Sequence, residues 1–249
     1  MSIEDRMSFY KRWSRLSKAY FKWQYQQFSS YLGPRVADVG CGLGNFVPFL
    51  KNKEFYLGLE PDRELSIEFK RSCVFENVKL ALHSDITTEE SVAEIIENKI
   101  DSIICVNVLE HIYDDQTALA NLTKGVSSGG HICILVPAFT WLFGTLDKLD
   151  GHYRRYSKKD LISLTNGLPV IIKDAYYVNF IGVFGWFIRG RVLKAKTYHN
   201  NDWKAMNLLV PLVSRLEKLI RPPIGLSCVL ILQKIKTPDN VSKEVNGVI

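Results

Sequence analysis

Carboxylates at the ends of apolar runs, three glycines at alternate positions and two histidines in polar loops are the residues of this sequence equipped for chemistry. The run Val36-Ala37-Asp38-Val39-Gly40-Cys41-Gly42-Leu43-Gly44-Asn45-Phe46 joins β-branched strand residues to a glycine turn. Glycines there let backbone N–H groups come close to a ligand with no Cβ between them. A dinucleotide fingerprint of the form G-x-G-x-x-G needs its third glycine where Asn45 stands. The pattern is instead D-x-G-x-G-x-G, and Asp38 beside the turn suits a cationic, nucleotide-like ligand better than a pyrophosphate. Glu60 closes the apolar run Phe55-Tyr56-Leu57-Gly58-Leu59, where a carboxylate can accept from both hydroxyls of a ribose. Asp85 closes the next run, Val78 to Ser84. His111 and His152 are the candidates to take the proton of a hydroxyl acceptor, since imidazole titrates near neutrality.

These residues need strands and helices that bring them to one edge. Apolar runs and helical patterns alternate from about residue 34 to 138, as in a parallel sheet with crossover helices. A packed helix is expected from Asn45 to about Leu50. The fourth strand is Ser102 to Val106 and the fifth His131 to Val136. A strand near Val170 to Tyr177 and a last strand, Ser227 to Gln233, end the fold. Residues 1–33 read as an N-terminal helical extension or lid dense in aromatics, 34–236 as the main domain, and 237–249 as a loose polar tail. Phe180 to about Pro223 is a helical insertion before the last strand.

The four strand-end landmarks, in this order, resemble those of the class I S-adenosylmethionine (SAM)-dependent methyltransferases. Gly151-His152-Tyr153-Arg154-Arg155-Tyr156 is similar to a G-H-x-R-R-Y signature found in one subgroup of them. The resemblance implies a doubly wound, mainly parallel seven-stranded α/β sheet whose last strand is antiparallel. It implies SAM as cofactor and S-adenosylhomocysteine as product. Asp38, Gly40, Cys41, Gly42 and Gly44 would line the first turn, with Glu60 and Pro61 at the ribose. Asp85 would accept from the adenine amino group with the Ile86 N–H beside the ring, and Asn107, Val108 and His111 would lie at the methionine end.

The substrate side is read from what remains beyond the carboxyl ends of the strands. Phe139, Trp141, Tyr153, Arg154, Arg155 and Tyr156 are the candidate substrate-binding residues, and His152 and His111 the candidate catalytic ones. Guanidinium forks at Arg154 and Arg155 would suit an anionic acceptor. Ordinary readings stand beside these. Glu60 and Asp85 can be helix-start acids. The arginines can pair with Asp147, Asp150 or Asp160, the aromatics can be core, and His111 can brace the turn after the fourth strand. Ser157 with Asp160 reads as a helix cap. No metal set is evident, because Glu110 and His111 are adjacent and Asp114-Asp115 open the next helix.

Composition bounds the function classes. With 47% apolar residues in 249, the chain can bury a full core as one domain. Cys41, Cys73, Cys105, Cys133 and Cys228 form no C-x-x-C pair and read as reduced thiols, which with the charged N-terminus gives a cytoplasmic expectation. Between residues 185 and 222 eight basic residues face two acids, beside Trp186, Phe187, Trp203 and Leu208. Such a surface can rest peripherally on anionic membrane or cap the site. The expected acceptor is a small molecule or one linked to lipid or glycan, methylated at oxygen. A nucleic-acid methyltransferase is the alternative raised by a pI near 9.0. It lacks support, since Asn107-Val108-Leu109-Glu110 carries no Pro-Pro-aromatic run to hold a flipped base and no Pro-Cys pair exists. An NAD-dependent dehydrogenase is the other alternative, disfavoured by the glycine spacing.

Overall fold

The computed structural model describes residues 3–73, 76–82 and 84–236. His83, in the third apolar run, and the expected loose tail from Thr237 lie outside them. Seven strands form one sheet: β1 Arg35–Val39, β2 Phe55–Glu60, β3 Val78–Leu82, β4 Ser102–Val106, β5 His131–Pro137, β6 Val170–Val178 and β7 Ser227–Lys234. Their order is β3-β2-β1-β4-β5-β7-β6. Pairings among the first five are parallel, while β7 runs antiparallel to both β5 and β6. The chain reverses its direction of growth between β1 and β4, so the crevice where such sheets take ligands opens above those two strand ends.

The nine α-helices among the described residues are α1 Ile3–Leu16, α2 Lys18–Gln26, α3 Arg63–Ser72, α4 Glu89–Glu97, α5 Asp115–Gly125, α6 Thr145–Asp150, α7 Lys158–Ser163, α8 Phe180–Phe187 and α9 Asn200–Ile220. Side chains alternate across each strand, so the sheet has two apolar faces. Ala37, Val39, Ile103, Ile132 and Leu230 face Ile95 of α4 and Leu119 and Leu122 of α5. Val36, Tyr56, Ile104, Leu135 and Val229 face Phe21 and Trp23 of α2, Phe28 and Val210 of α9. The N-terminal helices and the insertion therefore roof one face together. Asn207 Oδ1 of α9 accepts from the backbone N–H groups of Ala19 and Tyr20, at 2.7 and 3.1 Å, satisfying two of the donors that α2 leaves free in its first turn. Glu217 does the same for α8, accepting from Asn179 N and Phe180 N.

Ser157 and Asp160 form the expected reciprocal cap on α7. The expected helix from Asn45 to Leu50 does not form; a single 3-10 turn, Val47–Phe49, stands there. Pro48 has no N–H to give, and its neighbours close i to i+3 turns, Val47 N to Gly44 O and Leu50 N to Val47 O. Among the described residues no helix is long and apolar enough to cross a membrane. Cys41, Cys105, Cys133 and Cys228 are buried and, like the half-buried Cys73, unbridged.

Candidate active site

The glycine turn after β1 is left-handed at each glycine, with φ of +69° at Gly40, +55° at Gly42 and +74° at Gly44. The three have different reasons for lacking a side chain. A Cβ on Gly40 would lie 2.5 Å from Val108 Cγ2, and one on Gly44 would lie 2.4 Å from the Phe69 ring, whereas one on Gly42 would meet nothing within 4 Å. Only Gly42 faces open space; the other two are packing glycines. Sequence reasoning had given all three the same job.

Glu60, buried at the tip of β2, holds this turn from the side. Its Oε2 accepts from Gly42 N at 2.7 Å and its Oε1 from Asp62 N at 2.9 Å. Burial pushes its carboxyl up, while those two N–H groups pull it back. Each oxygen keeps a second lone pair for hydroxyls. The helix-start acid here is Asp62, which caps α3 by accepting from Glu64 N and Leu65 N, leaving Pro61 exposed between the two carboxylates. Asp38 is buried, with its Oδ2 accepting from the Tyr56 hydroxyl at 2.8 Å, and burial pushes it up to about 7. Cys41 of the turn is buried beside it.

Helix α1 bridges the crevice. Arg6 pairs with Asp62 at 2.7 Å, Lys11 with Glu68 at 2.8 Å, and Ser14 Oγ donates to Asn45 Oδ1 at 2.6 Å. On its other side Phe9 packs edge-on against Trp203 of α9 and tilted against Tyr198. Tyr10 lies between; burial raises its pKa, helped by Glu60 and Asp62 on one side and Asp150 on the other. Arg6 and Tyr10 were missed from sequence, where no spacing marks a helix docked so far from its partners in the chain.

Asp85 is exposed, and its Oδ1 accepts from Thr87 N and Thr87 Oγ1, both at 2.9 Å. Thr88, not Asp85, caps α4. Ile86 is buried and its carbonyl accepts from Asn121 Nδ2 at 2.8 Å. Asn107 turns left-handed at φ +54° and donates its N–H to Leu135 O, which sends Val108 against Gly40.

The Gly151–Tyr156 loop is organised by a fully buried carboxylate, Asp147 of α6. It accepts from Arg155 Nε at 2.6 Å, Gly144 N at 2.8 Å and Trp186 Nε1 at 3.3 Å, and its Oδ1 lies 2.9 Å from His152 Nδ1. Arg155 also donates to Ala138 O and stacks over Trp186, with its side chain 1% exposed. Arg154 pairs with Asp115 and donates to Tyr113 O. Tyr156, buried, lies within hydrogen-bond distance of Asp115 and Leu109 O. Expected as substrate-binding residues, Arg155 and Tyr156 are instead tied into the interior, Arg155 through the ion pair with Asp147 that the nearby acids had left open, while Arg154 stays half-buried and pairs with an acid outside that set, Asp115. Phe139, left-handed at φ +63°, stacks on Tyr177. Trp141 and Tyr153 are the exposed aromatics of the set.

His111 and His152, from different loops, meet with ring centroids 4.7 Å apart. His111 keeps part of its surface in solvent, yet loss of water around the ring and the neighbouring His152 pull it down to about 4. Burial would lower His152 too, but Asp147, Glu110 and Asp150 together raise it. Glu110, beside them, has no exposed surface, and burial pushes it up to about 7 against the pull of His152 and Arg155.

Residues 37–132 match the family described as a methyltransferase domain. The match spans less than half of the chain, and over it and in overall fold the chain is similar to class I SAM-dependent methyltransferases. The family implies SAM as the cofactor. A ubiquinone biosynthesis O-methyltransferase of Alkalilimnicola ehrlichii is 27% identical over 121 residues, 49% of this chain and 45% of that enzyme, so the match spans less than half of the relative. A SAM-dependent methyltransferase of Archaeoglobus fulgidus has the same fold, with a TM-score of 0.56 and 16% identity over 89% of this chain and 94% of that one. One from Mesorhizobium loti gives 0.57 and 10% over 85% and 98%. The methyltransferase family match takes in the glycine turn, Glu60, Asp85 and His111, while α1, the Gly151–Tyr156 loop and the insertion lie outside it.

Proposed function

We propose that this chain transfers a methyl group from SAM to an oxygen of a small-molecule or lipid- or glycan-linked acceptor. The observation that carries the reading is Glu60, a buried carboxylate that grips the N–H of Gly42, the one glycine of the turn open to space. The residues fit the cofactor: the bare Gly42 face for close approach, Glu60 for the ribose hydroxyls, and Val108 and His111 along the exit of β4. When bound, SAM supplies a methyl group already activated by its sulfonium, so the protein's work is to align the acceptor and strip it of water. Trp141 and Tyr153, both exposed, offer apolar contact to an acceptor, and His111 and His152 are the candidates to take its proton. The O-methyltransferase name of the Alkalilimnicola relative favours oxygen as the methylated atom.

Parallel calorimetric titrations with SAM, NAD and a generic duplex test this. The expected result is one SAM bound per chain. NAD binding without SAM would replace the reading with a dehydrogenase, and tight, salt-sensitive duplex binding with a nucleic-acid enzyme.

The insertion supports contact with anionic membrane as the route to a lipid-linked acceptor. Phe184, Phe187, Ile188, Val192, Leu193, Leu208 and Leu212 are exposed apolar side chains, and Lys194, Lys196 and Lys204 stand exposed among them. A patch of that kind gains both from burial in the headgroup layer and from charge attraction. The chain should co-sediment with phosphatidylglycerol vesicles at low salt and lose that binding when Phe184 and Phe187 are both replaced by serine. Equal partitioning of the two proteins would remove the membrane from the account.

A further inference from the structure

We propose that Glu110, His111 and His152 hold a divalent first-row transition metal ion at the carboxyl end of β4. Adjacency in sequence had argued against Glu110 and His111 as ligands, but the fold brings in His152 from the loop after α6. One ligand atom from each of the three lies within 4.8 Å of the others. The decisive member is Glu110: it has no exposed surface, and neither of its carboxylate oxygens has a hydrogen-bond partner. A buried carboxylate without a hydrogen-bond partner is costly, and metal coordination is one of the few ways native proteins satisfy it. Arg155, the nearest guanidinium of the loop, is committed to Asp147 and the Ala138 carbonyl.

His152 is prepared in the manner of a metal ligand. His152 has its Nδ1 against Asp147 Oδ1 at 2.9 Å, which leaves Nε2 as the free donor, the carboxylate–histidine arrangement that fixes ring and tautomer at metal centres. His111 comes to the same point from the 3-10 turn Leu109–His111. The rings meet at 77°, edge to face, so their lone pairs can converge without stacking. Two nitrogens and one carboxylate oxygen suit zinc, cobalt, manganese or iron in preference to magnesium or calcium, which favour all-oxygen shells. Three protein ligands leave a coordination position open. The binding claim stands by itself; what the ion does rests on the methyltransferase reading, in which an acceptor hydroxyl taking the open position becomes more acidic.

The test is titration of the metal-freed full chain with Co2+, followed by visible absorption, and with Zn2+ by calorimetry, with SAM titrated separately. One equivalent of each metal should bind, Mg2+ much more weakly, and both Glu110→Gln and the more exposed His111→Ala should weaken Co2+ by about tenfold or more. Zn2+ binding without SAM binding sustains the ion site and sinks the methyltransferase reading. SAM binding without Zn2+ or Co2+ binding overturns the ion site, with Glu110 then a carboxyl kept neutral by burial. Co2+ affinity unchanged in both variants overturns it as well.

Discussion

Replacing Glu60 with alanine will weaken SAM binding by about 1–3 kcal/mol, the range for losing hydrogen bonds to a charged acceptor, which is roughly five- to 150-fold in Kd. The structure places the effect toward the upper end. The same carboxylate fixes Gly42 N and Asp62 N, so its removal loosens the turn as well as deleting the acceptor. Glu60→Gln separates the two contributions, since an amide oxygen still accepts from one backbone N–H but brings no charge. Alanine is expected to lose more affinity than glutamine, as read by calorimetry. A Kd for SAM unmoved by alanine would take Glu60 out of the site and the proposed function with it.

The largest expected effect on stability comes from Asp147→Ala. Its side chain is wholly buried, Arg155 beside it is 1% exposed, and the substitution leaves that guanidinium without its partner in the interior. Breaking a buried pair from one side costs about 3–5 kcal/mol, and Gly144 N and Trp186 Nε1 lose an acceptor at the same time. Urea unfolding should show a loss of that size in the free energy of unfolding, read from a lower midpoint. The replacement of both members by apolar residues, Asp147→Leu with Arg155→Met, should be far milder than the single change, because no charge is then stranded. If Asp147→Ala costs less than about 1 kcal/mol, the figure for an ordinary exposed pair, the network is not what organises the Gly151–Tyr156 loop.

The parallel half of the fold was legible because its strands are mainly apolar runs, the first three ending at a glycine turn or an acid, and period-two burial on both faces leaves few other ways to pack them. Glu60 was legible for the same reason. The turn after Gly44 was misread as a helix because the glycine pattern suggests one, while Pro48 and the short distance to Phe55 leave room for a single turn. Arg154 and Arg155 show a different limit. A guanidinium near several acids looks the same in sequence whether it waits for a ligand or is spoken for, and only the fold shows Asp115 and Asp147 already holding them. The three glycines show how one pattern conceals two causes: Val108 and Phe69 leave no room for a Cβ at two of them, while at the third there is room and only the left-handed backbone asks for glycine. Arg6, Tyr10 and the meeting of Glu110 with His152 depend on contacts between distant segments, for which a single sequence carries no signal.

The cap that Asn207 places on α2 joins residues 188 positions apart. A chain leaving the ribosome has its first helices for most of synthesis without the segment that seats them, and long closures of this kind are made late and slowly. Until residue 207 has emerged, the aromatic face of Tyr20, Phe21 and Trp23 has no α9 to lie against. The nascent sheet can assemble its first five strands before that moment, but the cover over its crevice is finished only near the end of translation.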